Sequence, residues 1–178
     1  MASNRTAIIA VAVAGLGLGT WLILRQPSTE VRSAAPPDVI TDPLPADALV
    51  FQTLARAPAG DRALKDGDRL AAGESLHFRV RTTRPGHLLI ARIDRLGGTH
   101  LVYPANRGGR AATVQPSDSP RDLGQALDHL AGEEHLVALL CARPFVFDTV
   151  RPTLRADRLS EPALAGCAQA SRRLVGGE

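Results

Sequence analysis

The sequence predicts a mainly β protein: an antiparallel β-sandwich of immunoglobulin-like type with one or two short helices, preceded by a single transmembrane helix. Three observations predict this fold. An uncharged apolar run fills residues 7–24. Behind it, short segments alternate apolar and polar residues, as half-exposed strands do. Tight turns join these segments, and the long crossovers that parallel strands need are missing, so the sheets are expected to be antiparallel.

Residues 7–24 are expected to anchor the chain in a membrane. The run lies between Arg5 and Arg25, and Trp21 near its end suits the interface between lipid and water. As a helix it would span about 27 Å, close to the hydrocarbon thickness of a bilayer. We interpret it as an uncleaved signal-anchor. The alternative is a signal peptide whose cleavage releases a secreted protein.

This anchor determines the predicted organisation of the chain. Residues 1–6 form a cytoplasmic tail, and residues 7–24 form the transmembrane helix. A linker rich in Pro, Ser and Ala follows over residues 25–45. Residues 46–178 form one extracytoplasmic β-sandwich domain, since their number is typical of a single domain with one core.

The first predicted strands lie between residues 47 and 83. Residues 47–55 are predicted to form a strand, and the Lys-Asp-Gly-Asp sequence at 65–68 contains the residues that turns require. Residues 75–83 give the clearest strand, because apolar and polar side chains alternate along it. Its apolar face consists of Leu76, Phe78 and Val80. Its polar face consists of His77, Arg79 and Arg81.

A hairpin is predicted next. Residues 87–95 form a more apolar and therefore more central strand, residues 96–98 form the turn, and residues 99–103 form the returning strand. Residues 105–121 then form a long polar loop.

The last part of the domain mixes both element types. Residues 122–130 fit a helix locally better than a strand, and both interpretations stay open. Residues 135–142 form a buried strand, and residues 151–165 have room for a short helix. Residues 166–174 form the closing strand, which carries Cys167.

Cys141 and Cys167 are the only two cysteines of the chain. They do not form a C-x-x-C pair and are too few for a zinc site made of cysteines. Two cysteines behind a membrane span predict one disulfide in an oxidising compartment, which favours an extracytoplasmic domain. The alternative is a pair of unrelated buried thiols.

Five segments share the spacing of a known type of domain. They are K-D-G-D-x-L at 65–70, G-E-S-L-H-F at 73–78, P-G-H-L-L at 85–89, I-D-x3-G-x2-L-V-Y-P at 93–104 and G-E-E-x-L-V-A-L-L at 132–140. The pattern resembles a bacterial envelope-associated domain of unknown function, matched over about residues 61–144. The resemblance implies a β-sandwich ectodomain, found alone or beside protease, kinase or anti-sigma modules, and supplies no catalytic residue. Together with the anchor and the cysteines, it predicts a single-pass bacterial inner-membrane protein with its C-terminal domain in the periplasm.

Charge and composition indicate which partners to expect. The net charge of +3 is spread along the chain, with only one Tyr, one Trp and four Phe, so no nucleic-acid partner is expected. Arg79 and Arg81 on one strand, and Arg107 and Arg110 in the long loop, are the candidate partner-binding residues. The alternative for the strand is a solvated face paired with acids such as Asp94.

The histidines allow a metal hypothesis but do not favour it. They are His77, His87, His100, His129 and His135. None forms the i, i+4 pair of helical metal ligands, although His87 and His100 flank the predicted hairpin. The chain also lacks the G-x-S-x-G sequence of a nucleophile elbow. No catalytic, cofactor-binding or metal-binding residue is therefore predicted.

Together these observations favour a non-enzymatic, membrane-anchored binding domain with an envelope protein as its partner, accessory to envelope sensing or regulation. One alternative is an exported metal-binding protein or hydrolase that uses the His and Arg residues. The other is a purely structural envelope protein.

Overall fold

A computed structural model describes residues 43–105, 108–127, 130 and 132–176. The predicted cytoplasmic tail, the predicted transmembrane helix at 7–24 and most of the linker at 25–45 lie outside these residues. Within the described ranges, no helix is long and apolar enough to cross a membrane. Strands dominate this part of the chain, as the sequence predicts.

The strands are β1 (Leu49–Ala57), β2 (Gly60–Leu64), β3 (Arg69–Leu70), β4 (Ser75–Thr82), β5 (Gly86–Ile93), β6 (Thr99–Tyr103), β7 (Ala112–Val114), β8 (Arg121–Leu127), β9 (Glu133–Cys141) and β10 (Ala168–Gly176). A short helix, α1, covers Phe147–Val150. Single 3-10 turns occupy Ala46–Ala48, Arg151–Thr153 and Ala156–Arg158.

The strands form two sheets. The four-stranded sheet has the order β2-β1-β4-β8, and the six-stranded sheet has the order β3-β10-β9-β5-β6, with β7 also paired to β5. Every pairing is antiparallel except that of β3 with β10. The prediction of a mainly β, two-sheet fold with few short helices is confirmed.

Apolar side chains from both sheets form one core between them. Along β4, buried and half-buried residues alternate as predicted, with Leu76, Phe78 and Val80 pointing inward. The rings of Phe51 and Phe78 stack with their centroids 6.0 Å apart. From the six-stranded sheet, fully buried residues such as Ile90 complete this core. The two sheets are thus held face to face by burial of apolar area.

The six-stranded sheet is buried on its other face as well. Residues 142–166, between β9 and β10, lie over this face; we call them the covering segment. Phe147, Val150 and Leu154 of this segment pack on buried residues of β5 and β9 such as Leu89 and Leu139. This third layer, which the sequence analysis did not predict, explains why β5 and β9 are apolar on both faces.

The preference for a helix at 122–130 is wrong, because residues 121–127 form the edge strand β8. The register with β4 shifts by two residues between its two halves, and Gly124 has φ +65° at the irregularity. This bulge breaks the period-two pattern, which is why the sequence did not look like a strand. The predicted loop at 105–121 also contains a strand, β7.

Candidate functional site

The predicted disulfide is present. Cys141 at the end of β9 is bonded to Cys167, which directly precedes β10. The two residues flank the covering segment, so the bridge closes that segment at its base. The alternative of two unrelated thiols is excluded for these cysteines.

The structure does not bring the histidines together. His77 lies on β4 in the four-stranded sheet, whereas His87 and His100 belong to β5 and β6 of the other sheet. His100 pairs with Arg92, five residues along β5 from His87, a separation of about 17 Å. His129 lies outside the described residues. Across the described ranges, no group of three or more His, Cys, Asp or Glu side chains could hold a metal ion.

The four candidate arginines do not form a single patch. Arg79 and Arg81 lie on the outer face of the four-stranded sheet. Arg110 lies on the other side of the sandwich, where it forms an isolated bridge with Val146 of the covering segment. Arg107 is outside the described residues. The alternative of cross-strand pairing with an acid holds for Arg79, which donates to Asp61 at 3.1 Å, so the acid is Asp61 and not Asp94.

An ion-pair network covers the outer face of the four-stranded sheet. It consists of Arg56, Asp61, Arg79 and Asp122, which belong to four different strands. Asp61 accepts from Arg56 Nε at 2.8 Å and from Arg79 Nη2 at 3.1 Å. Arg56 Nη2 also donates to Asp122 Oδ2 at 3.2 Å. Two guanidinium groups and two carboxylates therefore balance one another within the fold.

The strand register shows what this network covers. Leu54 pairs with Ala63 on one side and His77 on the other. The contact from Asp61 on β2 to Arg79 on β4 runs diagonally across β1 above Leu54. Leu54 faces outward but is only 5% exposed, and this cover accounts for its burial. The contact from Arg56 to Asp122 crosses above half-buried His77 in the same way.

The network also shifts the pKa values of its members. Hydrogen bonding and charge from Arg56 lower the pKa of Asp61, and Asp61 in turn raises the pKa of Arg56. The backbone N–H of Gly124, with Arg56, lowers the pKa of Asp122. Arg79 is thus already engaged inside the protein, which argues against its predicted role in partner binding.

A second charged region lies at the hairpin between β5 and β6, where Asp94 organises the turn. Its Oδ1 accepts from the N–H groups of Leu96 and Gly98, each at 2.8 Å. Its Oδ2 lies 3.0 Å from His100 Nε2. His100 and these backbone donors lower the pKa of Asp94. These hydrogen bonds fix the turn, and the side chain of Leu96 at its tip is 86% exposed.

This hairpin forms one wall of a cleft of about 860 Å³, which we call the hairpin cleft. Residues 94–99 form the first wall, Glu133 and His135 of β9 also line the cleft, and residues 151–152 and 154–157 of the covering segment form the second wall. Clefts of this size are large enough for a ligand or for side chains of a partner.

The charges of the hairpin cleft are only partly balanced inside the protein. Asp94 is engaged as described, and Glu133 Oε1 lies 3.9 Å from His135 and 3.7 Å from Arg173. Arg95, Arg151 and Arg155 take part in none of the ion pairs of the described chain. All three arginines are exposed.

The hairpin cleft lies at the opposite end of the sandwich from the point where the chain enters it. The backbone N–H of Leu44 donates to the carbonyl of Gly166 at 3.0 Å, beside the start of β10. β5 runs from that end, at Gly86, to the hairpin after Ile93, a distance of about 24 Å. The described chain therefore begins at the end of the sandwich that lies away from the cleft.

The arginines of this cleft were not among the residues predicted from the sequence. A hairpin turn was predicted at 96–98, but Arg95, Arg151 and Arg155 had no predicted role. Arg151 and Arg155 are four residues apart, a weak signal for a shared side of a helical segment. Nothing in the sequence indicates that the two walls of the cleft lie side by side.

Comparison with protein-family models, with curated proteins and with solved structures found no match. The resemblance to the bacterial envelope-associated domain stays a prediction.

Proposed function

We propose that this chain is a non-enzymatic, membrane-anchored interaction domain that works outside the cytoplasm. Residues 7–24 are the single transmembrane anchor, residues 25–45 the tether, and the immunoglobulin-like sandwich lies in the periplasm. The length of the apolar run and the disulfide between Cys141 and Cys167 support this arrangement. The resemblance to an envelope ectodomain is in keeping with a role in envelope sensing or regulation.

The hairpin cleft is the observation that carries the proposed binding function. It combines a concave surface, three arginines that form no ion pair with any described residue, and the exposed side chain of Leu96. Arginine is enriched at protein interfaces because its guanidinium forms several directional hydrogen bonds and its stem packs on apolar groups. The arginines of the network on the four-stranded sheet are less available to a partner, because they already form ion pairs with Asp61 and Asp122.

Both walls of the cleft are held in place before any partner binds. Asp94 fixes the hairpin through two backbone N–H groups, and α1 anchors the covering segment through buried Phe147 and Val150. The side chain of Gln169 accepts from Ala163 N–H and donates to two carbonyls of the same segment. A rigid surface loses little conformational entropy on binding, which favours affinity.

Site-specific photo-crosslinking of the full-length chain in its own cells tests this proposal. A photoreactive amino acid replaces Leu96 in one variant and Gln52 in a control. Gln52 is also exposed but lies on the outer face of the four-stranded sheet. We expect a discrete protein adduct from position 96 and none from position 52. An absent adduct at 96, or the same adducts from both positions, would contradict the proposed surface.

A further inference from the structure

We propose that the hairpin cleft receives an acidic segment of the partner protein, whose carboxylates pair with Arg95, Arg151 and Arg155 while an apolar neighbour packs on Leu96. This inference rests on the proposed function and specifies the chemistry of the partner.

The balance of unpaired charge in the cleft carries this inference. Of its three acids, Asp94 is used by the turn and His100, and Glu133 is shared between His135 and Arg173. Asp157 alone has no ion pair within the described residues. Among the described residues, three guanidinium groups without an ion pair therefore line the cleft beside one carboxylate without an ion pair. This imbalance favours a ligand that brings carboxylates to the three arginines.

The orientation of the covering segment leaves its arginines available to a partner. Its buried side chains, Phe147, Val150 and Leu154, pack on the six-stranded sheet, and its arginines are exposed. A second, smaller depression of about 400 Å³ shares Pro152 and Arg155 with the cleft and adds Arg158 and Glu161. Because these two added residues carry opposite charges, the depression adds no net charge, and the proposed acidic segment is limited to the hairpin cleft.

The shape of the surface favours a protein segment over a membrane surface. A bilayer presents its anionic groups on a plane, whereas Arg95 and Arg155 come from two different segments that line one cleft. Leu96 at the rim suits an apolar side chain next to the carboxylates. The planar guanidinium group binds a carboxylate through two parallel hydrogen bonds. This geometry favours a ligand whose carboxylates are held in fixed positions.

Peptide binding to the full-length chain in detergent micelles tests the inference. The probe is a fluorescent twelve-residue peptide of Glu-Glu-Leu repeats, and a Lys-Lys-Leu peptide of the same length controls for apolar binding. The test variant is Arg151→Glu with Arg155→Glu. The matched control is Arg69→Glu with Arg84→Glu, which makes the same charge change at exposed positions elsewhere. Equal unfolding midpoints establish that both variants are folded.

We expect the acidic peptide to bind the wild-type chain and the matched control, and to bind the test variant at least about tenfold more weakly. Equal weakening in both variants would overturn the inference, because binding would then depend only on net charge. So would failure of the acidic peptide to bind. Vesicles containing phosphatidylglycerol are tested in the same way. If the wild-type chain binds these vesicles but not the acidic peptide, and the test variant does not bind the vesicles, the surface binds lipid and the inference is wrong.

The crosslinking experiment separates this inference from the function on which it rests. If position 96 crosslinks to a partner but the acidic peptide does not bind, the cleft is an interaction surface for a partner of different chemistry. If position 96 does not crosslink, the proposed function itself fails.

Discussion

Cys141 and Cys167 lie directly opposite each other, on the rung that continues the pairing of Leu140 with Ala168 between β9 and β10. Their Cα atoms are 4.4 Å apart, the spacing of opposed residues that share no backbone hydrogen bonds. The bridge therefore joins the two points at which the covering segment leaves the sheet. It restricts the third layer without interrupting the core between the sheets.

Removing this bridge is expected to destabilise the domain. Loss of a crosslink across 26 residues should lower the free energy of unfolding by about 3.5 kcal/mol in the loop-entropy model. Cys141→Ser, Cys167→Ser and the double variant should be equally affected, because each removes the same bond. Urea denaturation measures these values. A double variant much less stable than either single variant would contradict the pairing.

The burial of Leu54 beneath the ion-pair network gives a second prediction. Leu54→Ala should lower the free energy of unfolding by about 2 kcal/mol, although the residue is on an outward face. Gln52→Ala, on the same face but exposed, should change it by less than about 0.5 kcal/mol. Thermal unfolding compares the two variants. Equal effects would show that the network does not cover Leu54.

Acid should lower the free energy of unfolding, because the pKa values of Asp61, Asp94 and Asp122 are lowered in the folded protein. Each carboxyl binds its proton less readily in the folded than in the unfolded chain, so the unfolded state takes up more protons. Their stabilisation is complete above the ordinary pKa of 3.8 and is lost as the pH falls through the lowered folded values.

Unfolding measured at several pH values checks this prediction. In the variant with Asp61→Asn and Asp122→Asn, stability should depend less steeply on pH in this acid range than in the wild-type protein. The same slope in both proteins would show that the two carboxyls are not stabilised as charged groups.

The close packing of Gly98 against Asp94 predicts a local defect. A Cβ atom at Gly98 would collide with Asp94 Oδ2, so Gly98→Ala must displace the side chain that organises the turn. Loss of the hydrogen bonds that Asp94 accepts should lower the free energy of unfolding by about 1–3 kcal/mol. Leu96→Ala, which removes only an exposed side chain, should leave stability within about 0.5 kcal/mol. Calorimetry separates the two. An unperturbed Gly98→Ala variant would mean that the hairpin accommodates the methyl group.

The part of the fold that depends on local patterns could be predicted from the sequence. The alternation at residues 75–83 and the turn at 96–98 both correspond to observed elements, since turn chemistry and period-two burial act over short distances. The edge strand β8 was missed because the bulge at Gly124 disturbs that alternation. The third layer was missed because a doubly buried strand has the same apolar sequence whatever covers it.

The candidate site was harder to predict than the fold. Arg79 was a candidate because it lies on the polar face of its strand. Only the tertiary structure shows that Arg79 forms an ion pair with Asp61. The hairpin cleft joins Arg95 to Arg151 and Arg155, more than fifty positions later in the chain. Their proximity results from the return of the covering segment over the sheet, which no local pattern encodes.

The proposed anchor, partner and disulfide all require the domain to lie in an oxidising compartment outside the cytoplasm. The thiol state of Cys141 and Cys167 in intact cells tests this requirement most directly. It is measured by alkylation before and after reduction, followed by mass spectrometry of the full-length chain. We predict a linked Cys141–Cys167 peptide that alkylates only after reduction. Two thiols that alkylate freely without reduction would contradict the account and place the domain on the cytoplasmic side.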